Sequence, residues 1–159
     1  AVDSNSVNDK DGISAALIIV QIATDLKRES KTLNDLLDEI WSKYGFHGTK
    51  QISVRVENLE KISSILAKFR ESAPKSIAGY RIVGIDDLEK PTSGLPPTNG
   101  VRIYLEPSIR IIIRPSGTEP KVKCYVEIVA LGELGKAKTV VEEVLNNLEG
   151  PLRKILSEQ

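Results

Sequence analysis

The stretch RPSGTEPK, residues 114 to 121, gathers chemistry-bearing side chains into one short loop between two apolar runs. Arg114 ends an isoleucine-rich run, so an extended strand would fix the base of its side chain. Its planar fork can grip two oxygens of a phosphate or a carboxylate. Ser116 and Thr118 add hydroxyl donors. Gly117 can take a positive φ, and it leaves room for an anion to approach the backbone. Successive N–H groups in such a turn form an anion-binding concavity. Pro115 and Pro120 restrict both ends, so less order has to be gained on binding. Lys121 adds a second cation. Glu119 is the discordant member, because a carboxylate repels a bound anion. It is expected to point away or to pair with Lys121 or Arg110.

A phosphate monoester carries roughly −1.5 to −2 charges near neutral pH. Two cations and several neutral donors suit such a group. The loop holds no obvious base, and Ser116 has no histidine beside it in sequence, which weakens a serine-hydrolase reading. The spacing also differs from the Gly-rich nucleotide fingerprint. The residues alone leave two readings open: an anion site, or a stiff hairpin loop with incidental polar side chains. His47 lies in GFHGTK, residues 45 to 50, which reads as a linker. There it reads as a solvated loop histidine rather than a general base. Cys124 falls in an alternating apolar run and reads as a core residue. One histidine and one cysteine do not make a typical zinc site.

The totals narrow the classes further. Lys plus Arg number 22 and Asp plus Glu number 22 in 159 residues, a balance that argues against nucleic-acid binding by bulk charge. The chain has 2 Phe, 4 Tyr and 1 Trp, too few for a broad base-stacking surface. No stretch reaches the ~20 apolar residues of a membrane span. With a single cysteine no internal disulfide forms, which fits a reducing, cytoplasmic setting. Methionine is absent, even at position 1, which suggests a segment of a longer protein.

The elements that would position the loop follow from periodicity. Gly12 to Arg28 reads as a helix whose first half, Ile13 to Val20, is apolar all round. An exposed patch of that kind invites association, including self-association. Thr32 and Asp35 stand at capping-box spacing before Leu33, Leu36, Leu37, Ile40 and Tyr44, and Gly45 ends this second helix. After the linker the period becomes two at Ile52, Val54 and Val56. Asn58 would cap a helix carrying Leu59, Ile62, Ile65, Leu66 and Phe69, stopped before Pro74. Residues 80 to 85 read as a strand, and 89 to 100 as a turn-rich loop. Three alternating runs follow in a meander: Val101 to Leu105, Ile109 to Ile113, and Val122 to Ala130. A last helix runs from Gly135 to Glu149, Gly150 breaks it, and Pro151 begins a short final helix. The prediction is an α+β fold: an antiparallel sheet with helices on one face, preceded by a helical segment.

RPSGTEPK followed by a strand resembles the phosphate-binding loop of the α-D-phosphohexomutases, the phosphoglucomutase and phosphomannomutase superfamily. VNDKDGISAALIIVQIATDLK resembles the segment after that family's sugar loop, and KTLNDLLDEIWSKYG its connection into the fourth domain. The resemblance covers nearly the whole chain. It implies that residues 1–45 are the helical tail of a third domain and 46–159 a TATA-binding-protein-like fourth domain. It implies that Arg114, Ser116, Gly117 and Thr118 hold the substrate phosphate that is not reacting, with Lys121 beside them. It further implies a parent isomerase acting on hexose phosphates through a hexose 1,6-bisphosphate, with a phosphoserine and Mg²⁺. Those catalytic and metal loops belong to the first three domains, so this chain alone is expected to be inactive. Its partners would be a sugar phosphate and the remaining domains of the same polypeptide, with no nucleic acid and no membrane. The rival reading is a stand-alone anion- or RNA-binding α+β module.

Overall fold

The structure, a computed structural model, describes residues 3, 5, 7, 10–56, 59–91, 94 and 96–157. The chain divides into two compact units, Ala1–Tyr44 and Gly45–Gln159.

In the first unit, α1 spans Gly12–Arg28 and α2 spans Leu33–Tyr44. Asp11 caps α1, its carboxylate accepting from the N–H groups of Ile13 at 3.0 Å and Ser14 at 3.1 Å. Lys27 and Arg28 in the last turn suit the negative end of the helix dipole. The capping box at α2 forms as expected. Asp35 accepts from the Thr32 N–H at 2.7 Å, and the Asp35 N–H donates to Thr32 Oγ1 at 3.2 Å. Gly45 then turns the chain at φ 94°. Neither helix contains a buried residue, and Ile13 and Leu17 are 81% and 67% exposed. The apolar run of α1 is therefore a surface in this chain, not a core.

The second unit is built on one six-stranded antiparallel sheet. Its strands are β1 (Phe46–Arg55), β2 (Ser76–Ile77), β3 (Tyr80–Asp87), β4 (Val101–Leu105), β5 (Ile109–Pro115) and β6 (Lys121–Ala130). Helix α3 (Leu59–Ser72) joins β1 to β2, and α4 (Leu134–Ser157) follows β6. The spatial order is β1-β6-β5-β4-β3-β2. Thus β4 to β6 form the predicted meander, β3 extends it beside β4, and β1 closes against β6. Alternation decides the faces. Ile103, Ile111, Ile113, Val122 and Cys124 lie inward, and α3 and α4 cover them with Leu66, Phe69, Val141, Leu148 and Leu152. Helices α3 and α4 therefore share one face, and within this unit no helix covers the other, open face. Burial pushes the Cys124 thiol up to about 12, so it stays a neutral, inert core group.

Three details differ from expectation. Residues 46 to 50 are not a linker but the first half of β1, paired in register from Phe46↔Ala130 to Lys50↔Val126. The glycine that suggested a loop has a packing reason: a Cβ on Gly48 would overlap Val141 Cγ1 of α4. Gly150 and Pro151 do not break the last helix, because α4 runs through both. Leu148, Leu152 and Leu156 continue one fully buried stripe across that point, and their packing outweighs the hydrogen bond that Pro151 cannot donate. A short strand, β2, also precedes β3, pairing Ser76↔Arg81 and Ile77↔Tyr80. The proposed cap Asn58 lies outside the described residues.

Candidate functional site

Residues 114–121 join β5 to β6 at one end of the sheet. Arg114 stands opposite Lys123, and Pro115 opposite Val122. The loop is tied at its neck, where the Ser116 N–H donates to the Lys121 carbonyl at 2.8 Å. The Lys121 N–H donates to the Glu119 carbonyl at 2.7 Å, which folds the far side back. The Val56 N–H donates to the Pro120 carbonyl at 2.9 Å, fastening the loop to the chain just after β1. These bonds and the two prolines give a braced turn whose outer residues Gly117, Thr118, Glu119 and Pro120 are exposed.

What the turn leaves uncommitted is a set of donors. Among the described residues, the N–H groups of Gly117, Thr118 and Glu119 donate to no protein acceptor. The hydroxyls of Ser116 and Thr118 likewise make no bond there. The expectation for Gly117 is corrected in part. Its φ is not in the left-handed region that Gly45, Gly79, Gly94 and Gly132 occupy. The turn is closed by the prolines and neck bonds, so no left-handed residue is required. The open space does exist, since a Cβ on Gly117 would meet nothing within 4 Å. Glu119 resolves toward Lys121, whose Nζ lies 2.9 Å from its Oε1. That hydrogen bond holds the Glu119 carboxyl below the usual carboxylate range, with Lys123 and Arg55 adding to it. Lys121 is thus partly neutralised before any ligand arrives.

Arg114 is in the opposite condition. Arg102, Arg110 and Arg114 all project from the open face, one on β4 and two on β5. Arg102 pairs with Asp86 at 2.7 Å, and Arg110 with Glu127 at 2.6 Å. Arg114 forms no ion pair among the described residues. Its Nη2 donates to Tyr125 Oη at 3.1 Å, and its guanidinium carbon lies 5.4 Å from the Tyr125 ring centroid. Nη1 reaches the Pro115 carbonyl at 3.5 Å. Every one of these partners is neutral, so the positive charge remains available beside the turn's free donors.

The structure therefore brings Arg114, Ser116, Gly117, Thr118 and Lys121 together, and it adds residues the motif alone did not identify. Lys123 faces the same side of the sheet as Arg114, and Arg55 stands opposite Lys121. Gly100 lets the chain pass close to the arginine: a Cβ there would lie 2.9 Å from the Ile113 carbonyl oxygen and 3.2 Å from Arg114 Cβ. The period of two in β6 was the available signal for Lys123 and Tyr125, since both fall on the face opposite Val122, Cys124 and Val126. His47 belongs elsewhere. It sits on β1, half exposed, with Nδ1 3.6 Å from Glu127 Oε1.

The family described as phosphoglucomutase/phosphomannomutase, C-terminal domain, matches residues 52–144, which include the whole loop. The chain belongs to this family. A Haemophilus influenzae protein named "Probable phosphomannomutase" is 35% identical over 156 residues, covering 98% of this chain and 30% of that one. A Staphylococcus aureus (strain bovine RF122 / ET3-1) phosphoglucomutase is 36% identical over 136 residues, covering 77% of this chain and 24% of its own length. The chain thus spans less than a third of the relatives it matches. As a phosphohexomutase C-terminal domain it supplies no metal centre of its own among the described residues: no group of three His, Cys, Asp or Glu side chains is placed to hold an ion. No helix among them is long and apolar enough to cross a membrane.

Proposed function

We propose that this domain holds the non-reacting phosphate of a hexose phosphate while other domains of the same polypeptide carry out the transfer. The observation that carries the reading is the unneutralised Arg114 guanidinium beside a braced turn with free N–H and hydroxyl donors. Arg114 would grip two phosphate oxygens, Ser116 and Thr118 would donate hydroxyls, and Gly117 would admit the anion to the backbone. Lys121, tied to Glu119, would shape the field more than it grips. Binding energy at this remote phosphate would orient the reacting end of the sugar. The substrate turns over between half-reactions through a hexose 1,6-bisphosphate, so one loop would serve both phosphates in turn.

In this reading residues 1–45 are the helical tail of the preceding domain, and the apolar face of α1 is covered by the rest of that domain. The parent enzyme is a cytoplasmic isomerase, with Mg²⁺ and the phosphorylated nucleophile supplied by its other domains. Among the described residues no group of three His, Cys, Asp or Glu side chains is placed to hold that metal.

The decisive experiment uses the full-length enzyme. Arg114→Ala should reduce kcat/KM by about 10- to 150-fold, the loss of one charge-assisted pair of about 1.5–3 kcal/mol. Unchanged kinetics would remove Arg114 from the site. The chain alone, given glucose 1,6-bisphosphate, hexose phosphate and Mg²⁺, should not isomerise substrate, and turnover there would overturn the division of labour. Titration with hexose phosphate should move the amide resonances of Ser116, Gly117, Thr118, Glu119 and Lys121. A response to single-stranded RNA in place of hexose phosphate would favour the rival binding-module reading.

A further inference from the structure

The geometry points to Tyr125 as a positioning residue that holds Arg114 ready for phosphate without cancelling its charge. This inference rests on the reading of the loop given above and adds a residue to it. A free arginine side chain has several rotatable bonds, and fixing them on binding weakens the grip. Something must therefore hold the guanidinium in advance. The open face of this sheet does so in two ways. Arg102 and Arg110 are held by carboxylates, Asp86 and Glu127. A carboxylate fixes the fork but neutralises it and occupies the N–H pair that a phosphate would need.

At Arg114 the holder is an aromatic ring and a phenol. The ring lies 5.4 Å from the guanidinium carbon, and the Tyr125 hydroxyl oxygen accepts one Nη2 hydrogen at 3.1 Å. The Pro115 carbonyl takes one from Nη1 at 3.5 Å. Guanidinium carries five N–H bonds, so among the described residues three stay free, including that on Nε. Two suffice for a bidentate grip on a phosphate. Tyr125 stands opposite Ile112 on β5, and Arg114 opposite Lys123, so the contact is diagonal across neighbouring strands. Diagonal pairs are within reach of long and aromatic side chains. The tyrosine also sits half-buried in the strand ladder, which fixes its ring in turn.

The test is a double-mutant cycle in the full-length enzyme, with kcat and KM for a hexose phosphate as readouts. Tyr125→Ala should lower kcat/KM about fivefold, on the order of a lost cation–π contact and hydrogen bond. Tyr125→Phe keeps the ring and should recover most of that loss. Tyr125→Glu should hold Arg114 yet neutralise it, and so approach the loss seen in Arg114→Ala. In an Arg114→Ala background, Tyr125→Ala should have no further effect, because its whole contribution passes through the arginine. If Tyr125→Ala lowers kcat/KM by the same factor in both backgrounds, or if Tyr125→Phe is as impaired as Tyr125→Ala, the proposal fails. If Arg114→Ala is itself without effect, the loop reading fails first, and the two failures are distinguished.

Discussion

On β5, Ile109, Ile111 and Ile113 turn toward the helices, while Arg110, Ile112 and Arg114 turn away from them. On β6, Val122, Cys124, Val126 and Ile128 face inward, and Lys121, Lys123, Tyr125 and Glu127 face outward. The same backbone thus presents two surfaces of opposite chemistry. The inner one holds buried apolar side chains, and among the described residues no buried polar or charged one. The outer one is a lattice of cations, each of which is paired, stacked or left open. The inner face makes the fold and is indifferent to ligands. The outward residues of these two strands lie outside that core, so their types are free to serve recognition. The phosphate loop belongs to the second face, but its aim depends on strands that the first face holds still.

The sharpest way to separate the faces is to hollow the inner one. Ile111→Ala removes a side chain with no exposure at the centre of the sheet. It should lower the unfolding free energy by about 2–5 kcal/mol, read by urea denaturation. A loss below about 1 kcal/mol would mean that the core collapses around the gap and that the inner face is not the source of stability. Gly48→Ala probes the same face from the helix side. The new methyl group would overlap Val141 Cγ1, and Val141 is β-branched and buried, so it yields poorly. The expected loss is about 1–3 kcal/mol. The double variant Gly48→Ala with Val141→Ala should lose less than the sum of its parts. Strict additivity would refute the close packing of β1 on α4.

Arg114→Ala asks the complementary question of the outer face. It should cost kcat/KM heavily, as above, yet alter the unfolding free energy by only about 0.5 kcal/mol, the usual scale of surface substitutions. If stability and catalysis fell together, the division between faces would be wrong, because Arg114 would be bracing the sheet rather than serving a ligand.

How much of this was legible in the sequence depends on the same division. The inner face could be read directly, since period-two runs of isoleucine and valine leave few alternatives. The loop could be read as well, because RPSGTEPK concentrates donors and brakes that a plain turn does not need. What could not be read is what depends on pairs distant in sequence. Gly48 looks like a linker until Val141, on a helix far along the chain, is seen to rest on it. Gly150 looks like a breaker, and Pro151 like the start of a new helix, until the buried stripe of Leu148, Leu152 and Leu156 is seen to cross them. Tyr125 and Lys123 share a face by alternation, but their relation to Arg114 needs the β5–β6 register. Local propensity failed at the places where tertiary packing stabilises the chain more strongly than propensity does.

The smallest expected effect tests whether paired cations on the outer face matter to the fold at all. Asp86 Oδ2 accepts from Arg102 Nε at 3.0 Å, Arg102 Nη2 at 2.7 Å and Tyr104 Oη at 3.0 Å. The Arg102 hydrogen bonds, and then that from Tyr104, hold the Asp86 carboxyl below its ordinary value of 3.8. A carboxylate whose pKa is lower folded than unfolded stabilises the fold fully above the unfolded value. That contribution fades as the pH falls through the folded value. The Asp86 side chain is 41% exposed, so solvent screening limits the effect to less than about 1 kcal/mol. Asp86→Asn should therefore be slightly less stable than the parent at pH 7, and the gap should close as the pH drops below 3.8. Raised salt should narrow it too. A gap that persisted in acid would assign the network's value to hydrogen-bond shape rather than charge. It would then no longer stand as the neutralised counterpart of Arg114, whose charge is kept open by a partner that has none to give.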